Sequence, residues 1–163
     1  MKTKLYILIG LILLGCSPRD NTELFNKACI LEEEGEFEKA IEVLTEAIEI
    51  VPDDIDCFNN RAWNYYETGD FDNAYKDFYE ILVHSNQNTG ALFGIAYLKF
   101  EEKEYQQAIT LFDKIIAIRG GGPFYLERVD NDFFGQAPVE ADMKQVHFYK
   151  NLSQEKLDSK LQQ

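Results

Sequence analysis

The residues of this chain most able to do chemistry are three cysteines and two histidines. Cys16 ends the run Leu13-Leu14-Gly15-Cys16, while Cys29 and Cys57 stand in the body of the sequence. His84 and His147 are far apart, and neither shows ligand spacing with Cys or carboxylates, so a zinc site is not expected. No glycine-rich phosphate loop and no nucleophile motif is present. The 29 Asp and Glu residues supply many accidental pairs, which singles out none for acid–base work. The sequence therefore reads as non-enzymatic, with no catalytic, cofactor-binding or metal residue. Against 16 Lys and Arg, those acids leave a formal charge of −13, which disfavours a nucleic-acid partner because affinity for phosphate comes from clustered cations. With 45% hydrophobic and 28% charged residues, the composition is that of a folded globular chain.

Cys16 draws its meaning from what precedes it. Lys2 and Lys4 form a short basic region, and Leu5 to Leu14 is apolar without a break. As a helix this stretch would reach roughly 15 Å, half of a bilayer core of about 30 Å, so it reads as a secretory signal rather than a stable span. Leu13-Leu14-Gly15-Cys16 resembles the lipobox of bacterial lipoproteins. The resemblance implies that residues 1–15 are removed, that Cys16 becomes the lipidated first residue, and that residues 16–20 act as a tether. Ser17 after the Cys resembles the outer-membrane sorting pattern. The expectation is a lipid-anchored protein of the bacterial cell envelope, at the outer rather than the inner membrane in a Gram-negative cell.

The elements that must position anything else come from a repeat. Segments 21–54, 55–88 and 89–122 align without gaps on Ala40, Ala74 and Ala108, each 34 residues apart. An aromatic stands three residues before each (Phe37, Phe71, Tyr105), and Leu44, Phe78 and Phe112 stand four after it. Ala47, Ile81 and Ile115 follow at seven. Ala28, Ala62 and Ala96 precede at twelve, each with Leu24, Phe58 or Leu92 four residues earlier. Gly35 and Gly69 mark turns between two helices, where Gly readily takes the left-handed conformation; Lys103 replaces Gly in the third segment, which predicts a looser turn there. This pattern resembles the tetratricopeptide repeat. It implies an all-α fold: a right-handed superhelical array of helix–turn–helix units. The alanines are then expected where helices cross closely, and the large apolar residues in the core.

In that family the first helix of each pair lines a concave groove that receives a partner segment. The corresponding inward positions are Phe25, Cys29 and Glu32 in the first unit, Asn59, Asn60, Trp63 and Tyr66 in the second, and Phe93, Tyr97 and Phe100 in the third. One version of the groove clamps a terminal carboxylate with Lys, Asn and Arg. Here Asn60 fits, but the basic positions fall on Phe25, Gly90 and Gly94, so carboxylate capture is not expected. The groove is instead aromatic with two amides, which favours contact with a protein. Phe25 and Phe93 read equally well as groove or packing residues. Alanine at Trp63 is expected to weaken partner capture more than stability.

Beyond Gly120-Gly121-Gly122-Pro123, residues 123–163 read as a C-terminal capping helix, with a diverged fourth helix pair as the alternative. Val139, Met143, Val146, Tyr149 and Leu152 fall roughly on one side, and Ser153 to Gln163 is expected to fray. Cys29 and Cys57 are offset by about 9 Å along parallel helices, too far for a disulfide, which predicts two free thiols. The acidity is graded: the first unit carries 2 basic and 11 acidic residues, the second 2 and 6, the third 4 and 4. That gradient suits a solvated face, or a partner with a basic patch facing the first unit. Two functions follow: a membrane-anchored scaffold binding another protein in its groove, or a permanently assembled structural or accessory subunit of a cell-envelope complex.

Overall fold

Each of the three aligned segments holds one helix pair in the computed structural model, which describes residues 20–119 and 143–162. The pairs are α1 (Thr22–Glu33) with α2 (Phe37–Ile50), α3 (Ile55–Glu67) with α4 (Phe71–His84), and α5 (Thr89–Glu101) with α6 (Tyr105–Ile118). A seventh helix, α7 (Met143–Leu161), follows. Every helix packs on the next in the chain, and α3, α5 and α7 also touch in succession. The architecture is an all-α repeat array. Among the described residues no helix is long and apolar enough to cross a membrane. Cys16, its signal, the tether up to Arg19, the glycine run and Val139 lie outside the described residues.

Side chains satisfy the free N-terminal ends of α3, α4 and α5. Asp54 accepts from the backbone N–H of Asp56 and Cys57 at 3.0 and 3.2 Å, Asp70 from Asn73 at 3.2 Å, and Asn88 from Ala91 at 2.9 Å. Within each pair the first helix closes in a Schellman turn. Gly35 N–H donates to Glu32 O at 3.0 Å and Glu36 N–H to Leu31 O at 2.8 Å; Gly69 and Asp70 repeat this on Tyr66 and Tyr65. The third turn corrects the expectation of looseness. Lys103 sits at φ 63°, beside 75° and 79° for Gly35 and Gly69, and donates to Phe100 O at 3.0 Å while Glu104 reaches Lys99 O at 2.9 Å. The hydrogen bonds and the following helix hold a left-handed residue in place although it carries a Cβ.

All six repeat alanines are fully buried, as are Leu44, Phe78 and Phe112. The core divides into three clusters along the array, with Trp63, Leu82 and Leu111 packed against two of them, so each unit completes its neighbour. Gly94 carries the closest approach: a Cβ there would run into the Phe78 ring. One polar link crosses the second unit. Arg61 on α3 pairs with Asp77 on α4 through Nε–Oδ2 at 2.7 Å and Nη2–Oδ1 at 2.8 Å, and donates to Thr45 Oγ1 on α2 at 3.0 Å. Burial pushes the Asp77 carboxyl up even though the guanidinium opposes the shift.

Helix α7 caps the array by packing on α6 and, more lightly, on α5. Met143 and Val146 are buried in the last core cluster, with Tyr149 packed against it. The stretch from Ser153, expected to fray, is helical to Leu161, and Ser153 is fully buried with its hydroxyl donating to Tyr149 O at 2.6 Å. The residues beyond it are helical but almost all exposed.

Candidate functional site

The first helices α1, α3 and α5, continued by α7, make one face of the array, and its side chains divide into a polar half and an aromatic half. The polar half joins α1 to α3. Asn60 Nδ2 reaches Cys29 Sγ at 3.9 Å, and Asn64 Nδ2 donates both to Glu32 Oε1 and to Asn60 O, the latter at 2.8 Å. Burial raises the Glu32 carboxyl above the usual glutamate range, against the opposing pull of the Asn64 amide. Cys29 is half-buried and Cys57 buried, both as free thiols. Burial first, then the Asp54 carboxylate, drives the Cys57 thiol strongly up, which keeps it protonated and unreactive.

The aromatic half spans α3, α5 and α7. Trp63 lies 5.9 Å from both Tyr66 and Tyr97, and Tyr66 lies 5.3 Å from Tyr97, all measured between ring centroids. Tyr149 of α7 continues the row, 4.9 Å from Tyr97 and 5.4 Å from Phe100. Tyr66 donates its hydroxyl to that of Tyr97 at 3.3 Å, and the Tyr149 ring meets Tyr97 edge-on. Burial and these neighbours hold the Tyr97 hydroxyl far above its usual range, so it stays a neutral donor and acceptor. Tyr149 meets Tyr97 and Phe100 much as Tyr97 meets Trp63 and Tyr66: α7 takes the place of a fourth first helix. Sequence spacing missed this, because 52 residues rather than 34 separate the two tyrosines.

Not every expected groove residue presents a free surface. Asn59 and Asn60 are only 1% and 3% exposed; Asn60 is spent on Cys29 and Asn59 is partnered within the chain. A buried amide must be satisfied internally, which corrects the expectation that these two amides face a partner in the groove. Phe93 is also core, at 8% exposure, sandwiched by Tyr97, Phe112 and Tyr149. Phe25, Trp63, Tyr66, Tyr97 and Phe100 keep part of their surface open. Phe25 stands apart, packed on the first core cluster. Trp63 touches Phe78 and Phe93 besides its surface neighbours, so it serves packing and surface together. Gly90 and Gly94, at the clamp's basic positions, are buried. His84 closes α4 within 3.6 Å of Glu80, and His147 is exposed on α7. Among the described residues no three His, Cys, Asp or Glu side chains gather as a metal site.

Comparison with known proteins bears on the fold. Residues 22–54 and 90–118, in the first and third units, each match a family model described as the tetratricopeptide repeat. The crystal structure of the Sgt2 TPR domain from Aspergillus fumigatus is similar with a TM-score of 0.67 and 18% identity, over 90% of this chain and 84% of that one. A comparison with curated proteins gave no match.

Proposed function

We propose that this tetratricopeptide-repeat chain is a non-enzymatic scaffold that holds a segment of another protein against the aromatic row of its first helices. One observation carries the reading: Trp63, Tyr66, Tyr97, Phe100 and Tyr149 form a contiguous, part-exposed row across three helices. Partly solvated aromatic clusters of this kind release water readily and supply large contact area at low entropic cost. The repeat matches support the same class of role. A photo-crosslinker at Tyr66 is expected to trap a partner that the same group at Tyr79, exposed on α4, does not; equal trapping at both sites would defeat the groove reading.

The lipobox resemblance extends the proposal to a bacterial cell-envelope protein anchored through acylated Cys16, at the outer rather than the inner membrane if the cell is Gram-negative. Durable anchoring requires at least two acyl chains. Labelled palmitate should enter the wild-type chain and not Cys16→Ser; labelling of both, or neither, counts against the anchor. The acidic first unit supports a partner carrying a basic patch.

A further inference from the structure

The aromatic row ends in charge. Glu33, Glu67 and Glu101 recur at the 34-residue period, each as the last residue of a first helix. Each lies one helical turn beyond an expected inward residue (Cys29, Trp63 and Tyr97 respectively), so the carboxylates continue the same face. Glu67 and Glu101 are close enough to the aromatic row to act electrostatically on the Tyr66 hydroxyl. All three are exposed and stand at the negative end of a helix dipole, where carboxylates weaken the helix. Neither α1 nor α3 has a basic residue in its last turn to offset this. Of the nearby cations Lys99 and Arg61 are committed elsewhere, while Lys103 is exposed on the turn just beyond Glu101. Lys99 pairs with Glu102 and Glu104 and lies over Tyr75, while Arg61 is tied to Asp77 and lies over Phe58 and Tyr65. The face thus offers open ring surface beside open carboxylates, a combination that suits a side chain with an aliphatic stem and a cationic head.

We propose that the groove selects a cationic partner segment, whose apolar side chains lie on Trp63, Tyr66, Tyr97 and Phe100 and whose Lys or Arg heads pair with Glu67 and Glu101. This rests on the groove reading above and adds the chemistry of the occupant. Complementary charge sets the choice among segments, because the apolar contacts alone would accept any of them.

Trp63 is the chain's single tryptophan, so its emission reports occupation of this face directly. The full chain, in a non-ionic detergent at low ionic strength, is titrated with a short amidated peptide of repeating Lys-Lys-Leu. Counterparts carry Gln or Glu in place of every Lys. The Lys peptide is expected to shift Trp63 emission and to bind about tenfold more tightly than the Gln peptide, with the Glu peptide weaker still. Glu67→Gln/Glu101→Gln should bring the Lys peptide down to the affinity of the Gln peptide without lowering the melting temperature. A control pair on the outer helix α2, Glu42→Gln/Glu46→Gln, should leave the titration unchanged. Equal binding of Lys and Gln peptides, or an equal loss in the control pair, overturns the cationic preference and leaves the groove standing. No change in Trp63 emission with any peptide removes the groove reading itself.

Discussion

Lys103→Gly is expected to stabilise the protein, and Gly69→Ala to destabilise it by a similar amount. Both residues occupy the same place in a Schellman turn, at φ 63° and 79°; each donates to the residue three back, and its successor donates to the residue five back. A side chain in the left-handed region costs about 1–2 kcal/mol through contact of Cβ with the backbone. Glycine's greater freedom in the unfolded chain offsets about 0.4–1 kcal/mol of that. The net expectation is about 0.5–1 kcal/mol in favour of Gly at either turn, a shift of roughly 1–4 °C for a chain of this size. Gly69 makes the comparison clean, because an added Cβ would meet nothing within 4 Å and only backbone strain is felt. Lys103 forms no ion pair among the described residues, so its removal takes no electrostatic support with it. Urea unfolding followed by far-UV circular dichroism measures both variants. A fall in stability for Lys103→Gly, or movement of both variants in one direction, would refute the reasoning that the three turns share one backbone conformation.

Gly94→Ala pushes a methyl group into the Phe78 ring and should cost about 1–3 kcal/mol, read as a lower urea midpoint. Arg61→Met leaves Asp77, whose side chain is 7% exposed, without its guanidinium, and should cost about 3–5 kcal/mol in chemical denaturation. The double variant Arg61→Met/Asp77→Leu should recover much of that loss, because it buries no unpaired charge. Glu32 has its carboxyl raised in the fold, so from its ordinary value of 4.5 up to that raised value the native state binds more protons than the unfolded chain. Stability contributed by the protonated form is therefore lost as pH rises through this window, and Asp77 adds a change of the same sign. Glu32→Gln should flatten that part of the melting-temperature profile and melt higher than wild type at neutral pH; an unchanged profile would mean that Glu32 is not desolvated.

Much of the architecture was legible because a repeat states each structural requirement three times. Alanine at positions 28, 62 and 96 and at 40, 74 and 108 marks close helix crossings, since no larger side chain fits there. The interleaved large apolar residues mark the core. The third turn was misread from Lys103, because local propensity speaks for glycine while the hydrogen bonds around the turn decide the conformation. The burial of Ser153 was missed for a similar reason: Ser153 to Leu161 is locally polar, and only its contact with the array shows that Ser153 is buried.

The groove divides in the same way. Its aromatic character and lack of a carboxylate clamp follow from residue types at repeat positions, so the sequence alone determined that Trp63, Tyr66, Tyr97 and Phe100 would share a face. Which residues stay open on that face was decided by neighbours remote in the chain. Asn60 is consumed by Cys29 on another helix, Phe93 is enclosed by Phe112 and Tyr149, and Tyr149 enters the row across a separation outside the repeat. A periodic pattern records which way a side chain points, because that depends on its own helix. Whether the side chain meets solvent, a partner or another part of the same chain depends on what packs over it, and only the tertiary structure holds that information.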